Sequence, residues 1–302
     1  VVWIVQAGSL EPPGPPAPTM IPLDVVEART PIGNSGFSIT APGSYYLVED
    51  LTAAGASGLS IDVDDVTLDL NGFAIVGAAT PNVSGLTITN ASNVTVRNGT
   101  IRSFEHGVDI DTSSNVSLVG LDVLANTANG IESFDSNVVI DGCTVEDNGV
   151  DGISVTSDFF NLTDVLIADC AVARNGNDGI TAAATLLEIR GNRVHGNGAR
   201  GIEVSMTSAK VIGNRVDLND GTGIYTAIAS GVVTDNLCFS NGLGGTGYGI
   251  EVVLAEAGQF LARNQAAGNT SGEFLFDEAA SAAPITTLDA TAGPWDNLIP
   301  SP

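Results

Sequence analysis

A glycine followed by an aliphatic residue recurs along most of the chain. The pairs are Gly58-Leu59, Gly85-Leu86, Gly107-Val108, Gly130-Ile131, Gly152-Ile153, Gly179-Ile180, Gly201-Ile202, Gly223-Ile224 and Gly249-Ile250. Successive glycines lie 27, 22, 23, 22, 27, 22, 22 and 26 residues apart. A basic coil of 22 residues, lengthened in some coils by short inserted loops, accounts for every spacing. A period in this range marks a chain that buries its hydrophobic face by stacking one small unit on the next.

Within each coil the apolar residues alternate, as Ile153 with Val155 and Ile202 with Val204. That is the period of a strand with one buried face, and helical spacing is absent. A second short strand follows, such as Val138-Val139-Ile140, Val165-Leu166-Ile167 or Leu187-Glu188-Ile189. A third carries one inward residue, and aligning the coils puts Val123, Val145, Val172, Val194, Val216, Cys238 and Ala266 in that place. Three short strands per coil predict a triangular solenoid.

Three residues after each inward position stands an asparagine: Asn126, Asn148, Asn175, Asn197, Asn219, Asn241 and Asn269. Asparagine tolerates the left-handed backbone of a tight turn, and its amide can bond the same residue one coil away, about 4.8 Å along the stack. The expected result is an asparagine ladder. A shorter ladder of Asn192, Asn214 and Asn236 is expected at the turn before the third strand. Asn-Gly pairs scattered among independent hairpins would not keep this register.

The segment from Gly36 to Gly77, GFSITAPGSYYLVEDLTAAGASGLSIDVDDVTLDLNGFAIVG, resembles the opening of bacterial secreted β-helix repeat proteins of the pectin-lyase-like superfamily. The coils from Gly85 to Gly272 are similar to that family's generic repeat. The resemblance implies an all-β, right-handed parallel β-helix of about ten coils. It implies little about chemistry, because the superfamily contains lyases, hydrolases, epimerases, adhesins and phage spikes.

On this reading residues 1–7 are an apolar N-terminal strand or signal remnant, 8–36 a Pro-rich extended arm and 37–57 an N-terminal cap. Residues 58–271 are the β-helix, and 272–302 a C-terminal cap and tail carrying Phe274, Phe276 and Trp295. Val1, Val2, Trp3, Ile4 and Val5, on a stiff arm, suit strand addition to a neighbouring subunit, which repeated head to tail builds a filament. The other reading is a tail lying along its own solenoid. Cys143 and Cys170 occupy equivalent positions in successive coils, within disulfide range if their parallel side chains twist, and Cys238 replaces a core valine.

A net charge of −25, from 10 basic and 35 acidic residues, repels phosphate backbones and anionic lipid. Nucleic acid and membrane surfaces are therefore not expected partners. No stretch is long and apolar enough to span a bilayer. Secretion to the extracellular space or cell surface is the expectation. Seven Asn-x-Ser/Thr sequons, Asn82, Asn93, Asn115 and Asn161 among them, matter only in a glycosylating host.

Two outward columns can be read from the repeat. Just before the glycine run His106, Asn129, Asp151, Asp178, Arg200, Thr222 and Tyr248. Two residues after it run Asp109, Glu132, Ser154, Thr181, Glu203, Tyr225 and Glu251. Asp151, Asp178, Arg200 and Glu203 should share a patch, able to act as acid and base on an acidic sugar; calcium at Asp151 and Asp178 is the one cofactor it admits. The plainer reading is a solvated acidic face. His106 and His195 lack partners at zinc or copper spacing, no nucleophile elbow is present, and Gly242 to Gly249 reads as a long turn. The polygalacturonase, epimerase and nonapeptide calcium motifs are missing. The expected function is a noncatalytic extracellular or cell-surface scaffold that self-associates. The alternative is a carbohydrate-active lyase or hydrolase on acidic polysaccharide.

Overall fold

The structure, a computed structural model, describes residues 29–157, 164–253, 259–276, 281–282, 285–287 and 296–299. Val1, Val2, Trp3, Ile4 and Val5, the arm as far as residue 28, Asn161 and Trp295 lie outside the described residues. The chain winds as a right-handed parallel β-helix of about ten coils. Every strand pairing among the described residues is parallel, and in the body of the solenoid it joins one coil to the next. Among the described residues no helix is long and apolar enough to cross a membrane.

The coils stack into three sheets, and in some coils one strand runs through two of them, as Ile202–Ile212 does. Ile180–Ala183, Leu187–Arg190 and Arg193–His195 form a complete set. In the first sheet Ile153, Ile180, Ile202, Ile224 and Ile250 stack in register. In the third, Val123, Val145, Val172, Val194, Val216, Cys238 and Ala266 do the same. All of these side chains are fully buried. Each fully buried Val or Ile contributes roughly 1.5–3 kcal/mol before conformational entropy is counted.

Both asparagine ladders are present. Nδ2 of Asn126, Asn148, Asn175, Asn197, Asn219 and Asn241 donates to Oδ1 of the next asparagine at 2.9–3.0 Å, ending at Asn269. The second ladder is longer than its sequence signature, running Asn192, Asn214, Asn236, Asn264, Asn297. One expectation is corrected. The ladder asparagines do not adopt the left-handed backbone; the residue before each does, at Ala125, Asp147, Arg174, Gly196, Leu218, Ser240 and Gly268. That residue bends the chain, and the asparagine is required for its side chain. Leu218, with φ of 61° and an exposed side chain, meets this need poorly. Leu218→Gly is therefore expected to stabilise the fold by about 1 kcal/mol, read as a rise of roughly 2–4 °C in melting temperature. A fall would show that Leu218 packs more than its exposure indicates.

Residues Phe37–Ile39, Gly43–Leu47 and Leu51–Thr52, within the segment read as a cap, form a full coil paired with the next. The strand that covers this end is Thr30–Ile32, drawn from the arm. Gly272–Phe276 likewise continues the first sheet. Cys143, Cys170 and Cys238 are buried free thiols. Cys143 and Cys170 take the second ladder's position above Asn192: the Cys170 N–H donates to Asn192 Oδ1 at 2.9 Å, and its thiol donates to the Ala168 carbonyl at 3.1 Å. Burial pushes the Cys238 thiol pKa up, which keeps it unreactive.

Candidate functional site

The turn from the third sheet into the first starts at the ladder asparagine and ends at the repeat glycine. It carries the column Asp151, Asp178, Arg200. In the strand that follows, Glu203 lies in register between Thr181 and Tyr225, and Tyr225 beside Glu251. Asp178, Arg200 and Glu203 line a cleft of about 620 Å³ whose walls also include Thr222, Tyr248 and Glu251.

The Arg200 guanidinium lies 4.0 Å above the Tyr225 ring and pairs with Glu203 through Nη1. Asp178 is 6% exposed and Asp151 8%, so the solvated acidic face expected from sequence is not what forms. Their oxygens accept backbone N–H groups of the next coil: Asp151 Oδ1 from Asp178 at 3.1 Å, and Asp178 Oδ1 from Arg200 at 2.6 Å. Asp151 also accepts from Asn177 Nδ2 at 2.7 Å, and it stands behind the cleft. The structure therefore gathers Asp178, Arg200 and Glu203 at the cleft and leaves Asp151 as their support. Among the described residues no group of three or more His, Cys, Asp and Glu side chains is arranged to hold a metal ion.

The long turn wall was legible only as a loop. Gly223 and Gly249 are 26 residues apart rather than 22, and the extra residues bring Thr246, Gly247 and Tyr248 to the cleft rim. Thr222 Oγ1 donates to Glu251 Oε2 at 3.0 Å and accepts from the Tyr248 N–H at 3.2 Å, which ties that wall to the floor.

Further toward the N-terminus the same face holds a second ionisable group. His106 Nδ1 lies 2.8 Å from Glu132 Oε2. The Glu132 carboxylate at this distance raises the His106 pKa, and the imidazole lowers that of Glu132. Asp109, in register beside Glu132, accepts from Ser84 Oγ at 3.3 Å, and burial, then the Glu132 charge, raises its pKa. Sequence reasoning weighed the histidines mainly as metal ligands and missed this pairing, which joins two different columns.

Residues 35–185 and 159–283 match the family described as Right handed beta helix region. The chain belongs to that family. Among solved structures it is similar to the A-module of mannuronan C-5 epimerase AlgE4 from Azotobacter vinelandii. That match has a TM-score of 0.53 at 14% identity and covers 85% of this chain and 88% of that one. The Dettilon tailspike protein has a TM-score of 0.57 at 13% identity, and the match covers 90% of this chain but 61% of the tailspike. At such identities the likeness is one of fold. No curated protein sequence matches the chain.

Within this β-helix, burial pushes the Asp178 pKa from 3.8 up to about 6, with the Glu203 carboxyl and the Asp151 charge adding to the rise and the Arg200 N–H opposing it. The folded protein thus holds this proton more tightly than the unfolded chain. Asp178 therefore costs stability as pH rises from about 4 to about 6, and the loss is complete above that. Asp178→Asn keeps an acceptor for the Arg200 N–H and removes the charge. It is expected to raise the melting temperature over wild type by about 2 °C at pH 8 and by less at pH 4. Equal gains at both pH values would show that Asp178 ionisation is not the cause.

Proposed function

We propose that this protein is an extracellular β-helix whose first sheet binds polysaccharide, with the Asp178–Arg200–Glu203 cleft as the principal contact. The observation that carries the reading is the arginine held 4.0 Å over the Tyr225 ring and paired with Glu203, beside a buried carboxyl, in an open cleft that Tyr248 also lines. Carboxylates and hydroxyls bond sugar hydroxyl groups, and aromatic rings with one polar end suit sugar faces. Three carboxyl groups against one guanidinium disfavour a polyanion, so neutral glycans fit better than the acidic polysaccharide of the alternative read from the patch. The fold shared with a mannuronan epimerase agrees with polysaccharide as a class by analogy alone.

The test is affinity electrophoresis in gels containing galactomannan, xylan, dextran or alginate. We expect retardation by at least one neutral polymer, weakened at least tenfold by Arg200→Ala. Retardation by alginate alone would restore the acidic substrate, and none by any polymer would refute the reading.

The scaffold reading takes the face as noncatalytic. A second reading, hydrolysis, is favoured by one observation: Asp178 keeps its proton to about pH 6 beside Glu203, the pairing of acid with base that glycoside cleavage uses. New reducing ends that vanish in Glu203→Gln would establish it. Self-association through Val1 to Val5 belongs to the scaffold proposal, and light scattering of the full chain against one starting at Gly8 decides it.

A further inference from the structure

Among the described residues, apolar side chains interrupt the outward columns of the second and third sheets: Val139, Leu166, Val232 and Phe260 in the second, Ala171 and Leu237 in the third. The first sheet differs. From Asp109 its outward column continues in unbroken register through Glu132, Ser154, Thr181 and Glu203 to Tyr225 and Glu251. The side chains between the two ionisable groups are short: Ser154 and Thr181 in this column, Asn129 and Asp151 in the one beside it. Asn129 and Asp151 are tied down, since Asn129 Oδ1 accepts the Asp151 N–H at 3.0 Å and Asp151 Oδ1 accepts the Asp178 N–H at 3.1 Å. Short side chains therefore separate two groups of long ones along this face, His106 and Glu132 at one end and Arg200 and Tyr225 at the other.

Glu132 and Glu203 are three coils apart in register, on the order of 14 Å at the ordinary strand spacing. A disaccharide seated in the Arg200 cleft does not reach that far, whereas an extended chain lying along the stack does. We infer that His106, Asp109 and Glu132 form a second glycan-contacting centre, which sets a minimum chain length and selects linear oligosaccharides that bridge both centres. This inference rests on the polysaccharide reading above. Contacts at two places on one ligand make the second contact intramolecular, so affinity should rise abruptly once the ligand spans both. His106, with Nδ1 2.8 Å from Glu132 Oε2, offers its other ring nitrogen to a sugar hydroxyl, and Asp109 offers a carboxyl that Ser84 already orients.

The experiment uses oligosaccharides from dimer to octamer, prepared by partial hydrolysis of the gel polymer that retards the full chain, titrated calorimetrically into wild type, His106→Gln, Glu132→Gln and Arg200→Ala. For wild type we expect a step of about tenfold in affinity at the length that first bridges the two centres. His106→Gln and Glu132→Gln should flatten that step and leave the affinity of the shortest binding oligomer unchanged. Arg200→Ala should weaken every length. The inference is overturned if wild type shows no step, or if the step survives in both His106→Gln and Glu132→Gln. If Arg200→Ala binds all lengths like wild type, the polysaccharide reading of the cleft fails instead, and this inference falls with it. Far-UV circular dichroism of each variant shows that the coil is intact.

Discussion

Replacing Gly179 by alanine is expected to cost about 3 kcal/mol or more, enough to lower the melting temperature by roughly 6–12 °C. The reason is not backbone freedom, because this glycine is absent from the left-handed positions. A Cβ there would stand 2.5 Å from Val194 Cγ1, 2.6 Å from the Gly201 carbonyl oxygen and 2.7 Å from Asn197 Nδ2. One of these contacts is backbone, one the core valine and one a ladder amide, so no flexible side chain can give way. Gly107, Gly130, Gly152 and Gly201 meet the same three neighbours one coil further along, which explains why glycine recurs at this place in the repeat. Gly142 provides the contrast: its φ is +62° and a Cβ would touch nothing within 4 Å. Gly142→Ala should cost only the left-handed strain, about 1 kcal/mol. Thermal melts of the two variants separate close packing from conformational freedom, and equal losses would refute the distinction.

The same particulars show why the fold was easier to read than the site. A parallel coil repeats its environment at every turn, so one inward valine places all the others. The offset of Asn148 from Val145 then places each ladder rung. The reading weakened where the repeat was interrupted. Asn236 and Asn264 are 28 residues apart and Asn264 and Asn297 33, and these insertions hid the last two rungs of the second ladder. Outward columns could be written down from register alone, which is how Asp178, Arg200 and Glu203 were grouped. Their burial could not, because it depends on loops contributed by adjacent coils, such as Asn177 and the wall from Thr246 to Tyr248. The stacking of Arg200 on Tyr225 was equally out of reach, since register gives neighbouring positions and not the direction a long side chain takes. His106 and Glu132 were present in the two columns as written. Their pairing runs diagonally between columns, and a straight reading along either one passes over it.

The ladder and the site meet in one turn, which makes Asn175→Leu the more telling disruption. Asn175 Oδ1 accepts both the N–H of Asn148 and its Nδ2, while Asn175 Nδ2 donates to Asn197 Oδ1 and to the Val145 carbonyl. Leucine removes all four contacts and leaves the buried Asn148 N–H and the Val145 carbonyl without these partners. At roughly 1–3 kcal/mol for each such group, the expected loss is about 3 kcal/mol. Position along the ladder should grade the effect. Asn269 ends the column, is slightly more exposed and is bonded by Glu273, so Asn269→Leu should cost less than Asn175→Leu. Asn93 is exposed, has φ of 60° and bonds Asp65 and Asn115 through its side chain, so Asn93→Gly, which relieves the left-handed strain while losing two exposed bonds, should cost far less than Asn175→Leu. Asn148→Leu and Asn175→Leu share a rung, so the double variant should lose less than the sum of the two. Three residues beyond Asn175 the same turn delivers Asp178, whose carboxyl accepts the Arg200 N–H. A turn loosened at Asn175 should therefore release Arg200 from its place over Tyr225, and glycan affinity should fall together with stability. Additive losses in the double variant, or full glycan affinity in Asn175→Leu at a temperature where it stays folded, would show that the ladder supports the coil without positioning the cleft.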